Sequence, residues 1–66
     1  VPEAAARIHA EVIDDVWRGC LADAAVELSA IDAVAVTEGP GLPGSLLVGL
    51  GFAQGLAFTL DCPLVP

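Results

Sequence analysis

Apolar and polar positions along the chain fall into two long periodic stretches, with a short β-branched run and a glycine–proline break between them. From Pro2 onward, Ile8, Val12, Ile13, Val16, Trp17, Cys20, Leu21 and Ala24 recur at intervals of three and four, while Glu3, Arg7, Glu11, Asp14, Asp15 and Arg18 take the other side. That spacing predicts an amphipathic helix over residues 2–27. Pro2 suits a first helical turn, and Glu3 puts a carboxylate where the helix dipole favours one. Glu3 with Arg7, and Asp14 with Arg18, are acid-before-base pairs four residues apart, each stabilising by roughly 0.2–0.5 kcal/mol. Gly19 costs about 1 kcal/mol relative to alanine inside a helix. Beyond it Asp23 and Glu27 occupy the angle of the apolar face, so a kink or change of phase is expected near Gly19, and the helix is expected to end around Glu27 to Leu28.

After a short turn at Ser29 and Ala30, residues 31–37 form an apolar, β-branched run of strand length. Residues 38–44 (Glu-Gly-Pro-Gly-Leu-Pro-Gly) hold three glycines and two prolines, the strongest local breakers of regular structure. Residues 45–60 are uncharged, rich in leucine and alanine, and too long for a strand, which predicts a buried helix packed on a sheet. Residues 64–66 begin another strand. The order helix–strand–helix–strand is that of an α/β chain, with residues 31–66 forming a right-handed βαβ unit whose strands run parallel. Ligands of such folds bind beyond the carboxyl ends of the strands, which places the loop at residues 38–44 on the cleft side.

Composition narrows the function. Nine acids stand against Arg7 and Arg18, with no lysine, for a net charge of −7. That balance lacks the basic footprint needed to hold a nucleic-acid backbone, so any RNA contact is expected from elsewhere. Hydrophobic residues make up 56% of 66 positions, too many for a disordered acidic tail and more than so short a chain needs for its own core. The chain is therefore expected to be an internal piece of a longer protein, residues 1–66 being part of one domain. Cys20 and Cys62 fit no metal spacing and no disulfide framework, which leaves reduced thiols of a cytoplasmic protein. The uncharged run from Gly39 to Leu60 raises the possibility of a membrane span. Its glycine–proline start, its internal Gly49, Gly51 and Gly55, and the flanking acids Glu38 and Asp61 argue instead for a core helix and no membrane. Gly51 and Gly55 form a G-x-x-x-G, which in a soluble protein lets another backbone come close.

Two features invite a chemical reading. Gly39, Gly41 and Gly44 match G-x-G-x-x-G after a strand and before a helix, the context of a dinucleotide-binding loop. Pro40 and Pro43, however, lack the N–H donors such a loop uses, and the partner acid belongs after the next strand, whereas Asp61 precedes it. A structural turn is the plainer alternative. His9 lies on the apolar side of the first helix, where a buried, hydrogen-bonded histidine is a simpler expectation than a ligand.

The residues also resemble a known family. Val1, Pro2 and Glu3, then Ala5, Arg7 and His9, followed by IDAVAVT (31–37), GPGL (39–42), GSLLVG (44–49), GLAF (55–58) and PLVP (63–66), are similar to the TsaD/Gcp family along the whole chain. These are tRNA N6-threonylcarbamoyladenosine transferases, formerly described as glycoproteases. The resemblance implies the N-terminal lobe of an actin-like ATPase fold, the class of sugar kinases, Hsp70 chaperones and RNase H-like domains. It implies transfer of a threonylcarbamoyl group from threonylcarbamoyl-AMP, an ATP-derived nucleotide, to N6 of adenosine 37 in tRNA. It also implies one iron or zinc ion held by a His-x-x-x-His pair expected just after Pro66, so that residues 1–66 supply no metal ligand, bind no cofactor and carry no catalytic residue. Gln54 stands where the family signature has a cation, and Glu38 where a small residue is common.

On this reading Thr37, Gly39, Pro40, Gly41 and Gly44 line the cleft. Val12, Val16, Trp17, Leu47 and Phe52 on the two helices face a partner, either a TsaB-like paralogue or the small dimeric subunit of archaeal and eukaryotic complexes. Contact with tRNA is expected from other parts of the parent protein. Two rival readings stay open: a non-catalytic dimerisation scaffold of the same fold, and a dinucleotide-binding oxidoreductase segment.

Overall fold

The structure, a computed structural model, describes residues 2–66, with side-chain surroundings from residue 4 onward; the pairing of Glu3 with Arg7 lies outside the described residues. Helix α1 (Pro2–Ala24) is followed by a 3-10 turn (Leu28–Ala30), strand β1 (Val34–Ala35), helix α2 (Pro43–Leu60) and strand β2 (Leu64–Val65). The two strands pair in parallel, Val34 with Leu64 and Ala35 with Val65, so the chain is an α/β unit in which α2 crosses from one strand to its parallel neighbour.

Helix α1 ends three residues before the expected position, and its last turn explains why. Ala25 adopts a left-handed conformation (φ 53°), the Ala25 N–H donates to the Ala22 carbonyl, and the Val26 N–H donates to the Leu21 carbonyl at 3.1 Å. These are the paired reverse bonds of a Schellman motif, which closes a helix by satisfying its last carbonyls. Glu27 therefore lies outside the helix and caps the following 3-10 turn. Helix α1 runs through Gly19 and is helical throughout Pro2–Ala24. Helix α2 closes by the same device, with Asp61 left-handed (φ 53°) and the Cys62 N–H on the Ala57 carbonyl at 3.1 Å.

Strand β1 covers two residues instead of the seven expected. The ladder bonds run from the Val34 N–H to the Pro63 carbonyl and from the Val36 N–H to the Val65 carbonyl. Ile31 is extended but closes the 3-10 turn through its N–H on the Leu28 carbonyl. Helix α2 begins at Pro43, two residues earlier than expected, because proline fixes a helical φ and its missing N–H is no loss in a first turn.

Helix α2 organises the packing. Ala53 and Ala57 press on Val34 to form the small core, with Ile31, Val36, Leu56, Cys62 and Leu64 around it. A second side of α2 runs alongside α1 in the same direction, Gly44 near Ala6 and Phe52 edge-on to Trp17, ring centroids 6.4 Å apart. The expectation of a buried α2 fails: only Ala53 and Ala57 are buried, while Leu47 and Phe58 are 67% and 89% exposed. One helix and two two-residue strands cannot cover an apolar cylinder on all sides. By length and composition α2 is long and apolar enough to cross a membrane, a property that a core helix shares.

On α1 the half-buried apolar positions are Ala4, Ala5, Ala6, Ile13, Trp17 and Leu21, while Ile8, Val12 and Val16 are exposed. Asp14 and Arg18 form the expected ion pair, Oδ2 to Nε 2.6 Å, with both side chains mostly exposed. It contributes no more than a few tenths of a kcal/mol.

The dimensions agree with an incompletely covered unit. The accessible surface is 4732 Å², against about 3,900 Å² for a compact monomer of 6.6 kDa. The radius of gyration is 12.4 Å, against about 10.8 Å for a compact domain of this length. Residues 1–66 in isolation are expected to give a broad, poorly dispersed NMR spectrum or to self-associate at neutral pH; sharp, dispersed signals from a monomer would contradict the packing described. A second expectation concerns the helix ends. Ala25→Gly relieves a left-handed alanine and should stabilise the parent protein by about 1 kcal/mol in chemical denaturation. Asp61→Gly should gain less, because aspartate tolerates that conformation better.

Candidate functional site

The loop that leaves β1 at its carboxyl end borders a shaped opening that carries a hydroxyl and a carboxylate. Thr37, Glu38, Gly39, Pro40 and Gly41 are exposed, and Gly44 is half-buried. The Gly39-Pro40 peptide is cis. Leu42 is the N-cap of α2 and contributes no side-chain cap; its carbonyl accepts the first helical bond, from the Leu46 N–H at 3.0 Å. With Pro40 and Pro43 lacking N–H groups, the donors left at the helix start are those of Gly44 and Ser45.

The glycines serve ends other than a phosphate cradle. Among the described residues no glycine has positive φ, so none of the three in the loop is required by backbone conformation. A Cβ at Gly41 would lie 3.2 Å from the Leu46 side chain, and one at Gly44 would lie 3.2 Å from the Ala6 Cβ. Gly39 alone faces open space, with nothing within 4 Å of where a Cβ would stand. The acid a dinucleotide site needs is also missing here, since Asp61 is occupied as the left-handed residue closing α2.

Three openings flank α2. Thr37, Glu38, Pro43, Leu46, Leu47 and Leu50 line a groove of about 320 Å³ beside the loop. It joins apolar walls to one hydroxyl and one carboxylate at its mouth. Sequence reasoning missed Leu46 and Leu50 as its walls, although their spacing of four after a first-turn proline was the available signal. A second groove, about 220 Å³, runs between the helices past His9, Val12, Ile13, Val16, Ser45, Val48 and Gly49. His9 is exposed there, contrary to the expected buried histidine, because α2 meets α1 along Ala6, Ile13 and Trp17 and leaves position 9 on the flank. The Ser45 hydroxyl is enclosed without a hydrogen-bond partner.

The third opening, about 530 Å³, lies on the other flank, where Asp14 and Arg18 join Trp17, Leu21, Phe52, Leu56 and both Gly51 and Gly55. The close backbone approach expected at those glycines does not occur among the described residues, since neither has an atom within 4 Å of a Cβ position. The five residues singled out for a partner surface divide accordingly: Val12, Val16 and Leu47 are exposed, whereas Trp17 and Phe52 are half-buried against each other.

Chemically the arrangement offers shape without a reacting group. Glu38 is the loop's only ionisable side chain, and the histidine is on the flank of α1. Among the described residues no three His, Cys, Asp or Glu side chains come together. Cys20 and Cys62 are free thiols.

The family model described as "TsaD: tRNA N6-adenosine threonylcarbamoyltransferase" matches residues 1–66, the entire chain. Proteins named tRNA N6-adenosine threonylcarbamoyltransferase from Staphylococcus aureus strains JH9, JH1 and Mu3 are each 53% identical over all 66 residues. The chain spans 19% of the length of these curated relatives. The family match, which runs from the first residue to the last and takes in the G-P-G-L loop at the carboxyl end of β1, places the chain in the TsaD family.

Proposed function

We propose that this chain is part of the N-terminal lobe of a cytoplasmic tRNA-modifying transferase of the actin-like ATPase fold, where it supplies one wall of the cleft. The parent protein moves a threonylcarbamoyl group from threonylcarbamoyl-AMP to N6 of an adenosine in tRNA. The exocyclic amine attacks the carbamoyl carbonyl, a C–N bond forms, the C–O bond to the phosphate breaks, AMP leaves and the amine loses a proton. Such a transfer depends on orientation and on polarising the carbonyl. The observation that supports this role most directly is the exit of the loop from the carboxyl end of β1 straight into the first turn of α2, the position where α/β folds hold ligands.

This chain's share is positional. Thr37, Gly39, Pro40 and Gly41 form an exposed edge stiffened by two prolines, and Gly39 leaves room for a ligand to approach the backbone. The iron or zinc ion associated with the family does not fit the residues present here. His9 is exposed on the flank of α1, and the described acids do not converge with it. A dinucleotide-binding role has less support, given the loop prolines and the cap position of Asp61.

The outward faces of α1 and α2 are proposed as the surface for a paralogous partner. Ile8, Val12 and Val16 make a continuous exposed apolar row on α1, and patches of this kind mark interfaces. Trp17 and Phe52 support that surface from beneath by packing on each other.

Two measurements test these readings. In the parent protein Gly39→Leu should leave the unfolding midpoint unchanged, because a side chain there meets open space, while transfer to tRNA falls about tenfold or more by misplacing the substrates. Unchanged transfer would reduce the loop to a turn, and absence of any transfer by the wild-type parent would favour the scaffold reading. Val16→Asp in the parent should weaken binding of a TsaB-like paralogue by about tenfold or more, since a charge would be buried without a partner. Unchanged affinity by calorimetry would remove that row from the interface.

A further inference from the structure

The loop glycines differ in what surrounds them, and Gly44 stands apart. A side chain at Gly41 would meet the tip of Leu46, which can rotate away. One at Gly44 would meet the Ala6 Cβ at 3.2 Å, inside the 3.5–4.0 Å at which carbon atoms pack best. That Cβ is fixed to the backbone of α1, so only a shift of the helix relieves the contact.

We propose that Gly44 is a positioning residue whose missing side chain lets α1 press on the first turn of α2 and so hold the cleft loop in place. The inference rests on the reading that residues 37–41 line the cleft, and it assigns Gly44 to α1 instead of to the ligand. Three features pass a displacement at Gly44 on to the loop. Pro43 and Pro40, with fixed φ, stand immediately before Gly44 and in the middle of the loop, leaving little torsional freedom to absorb a shift. At the far end of the seam Trp17 and Phe52 are already in edge contact, so the two helices separate at the Ala6–Gly44 end, beside the loop, and not along the whole seam. The Leu42 carbonyl, bonded to the Leu46 N–H, ties the loop's last residue to the turn that Gly44 occupies.

The test uses the full parent protein carrying Gly44→Ala, Ala6→Gly, or both. Gly44→Ala should stay folded, with an unfolding midpoint within about 4 °C of wild type, while kcat for tRNA modification falls about three- to tenfold and KM for tRNA holds, as for a displacement of a few tenths of an ångström. Adding Ala6→Gly removes the opposing atom and should restore kcat to within about twofold. Full activity of Gly44→Ala, or a loss that Ala6→Gly does not repair, overturns the proposal; the latter places Gly44 against the ligand. If the wild-type parent transfers nothing, the functional reading fails, and the midpoints decide the contact by themselves. Non-additive shifts of the two substitutions support the coupling, and additive ones overturn it. Should Gly44→Ala alone fail to fold, recovery of folded protein by Ala6→Gly supports the same contact, and its failure to recover counts against it.

Discussion

A helix with no charged side chain has to be covered on every side, and the rest of this chain is arranged by how far it meets that demand for α2. One stripe, Ala53 and Ala57, takes the strand pair through Val34. A second, through Gly44 and Phe52, takes α1. The third, carrying Leu47 and Phe58, faces outward. Each large apolar side chain left in water forgoes roughly 1.5–3 kcal/mol of burial, so an open stripe is a substantial deficit for a unit whose own core is one valine and two alanines. The same deficit explains the extended shape and the exposed row on α1, and it makes an outer layer in the proposed parent the natural completion of the fold.

The ends of the helices are set by backbone bonds more than by side chains. Neither Leu42 nor Glu27 caps with its side chain, and both helices close by paired bonds around a left-handed residue that is not glycine. In each case an apolar residue follows immediately, Val26 after Ala25 and Cys62 after Asp61. Cys62 then packs beneath α2 against the core, which turns the chain back toward β2 and fixes the crossover.

In the loop this geometry separates residues that look alike in the sequence. Gly39 faces open space, Gly41 makes room for Leu46, and Gly44 makes room for α1. A pattern that resembles a nucleotide-binding fingerprint thus resolves into one open position and two packing positions. In the proposed reaction the loop's share is the placement of a stiff edge.

The order of elements, the parallel crossover and the family were legible in the sequence, because periodicity, glycine–proline breaks and contiguous motif residues are local signals that survive in any short stretch. The Asp14 and Arg18 pair was legible for the same reason. Strand length was not: pairing with β2 covers Val34 and Ala35 alone, and a strand's extent is set by its partner, which residues 31–37 do not describe. The end of α1 escaped notice because an alanine at position 25 gives no sign of a left-handed turn; the bonds of Val26 and Ala25 back to Leu21 and Ala22 decide it. His9, Trp17 and Val16 sit on one broad apolar face in the sequence, yet only the path of α2 leaves His9 and Val16 outside and draws Trp17 in against Phe52. Local pattern determines which residues prefer to be buried, and the limited surface of neighbouring elements decides which of them are.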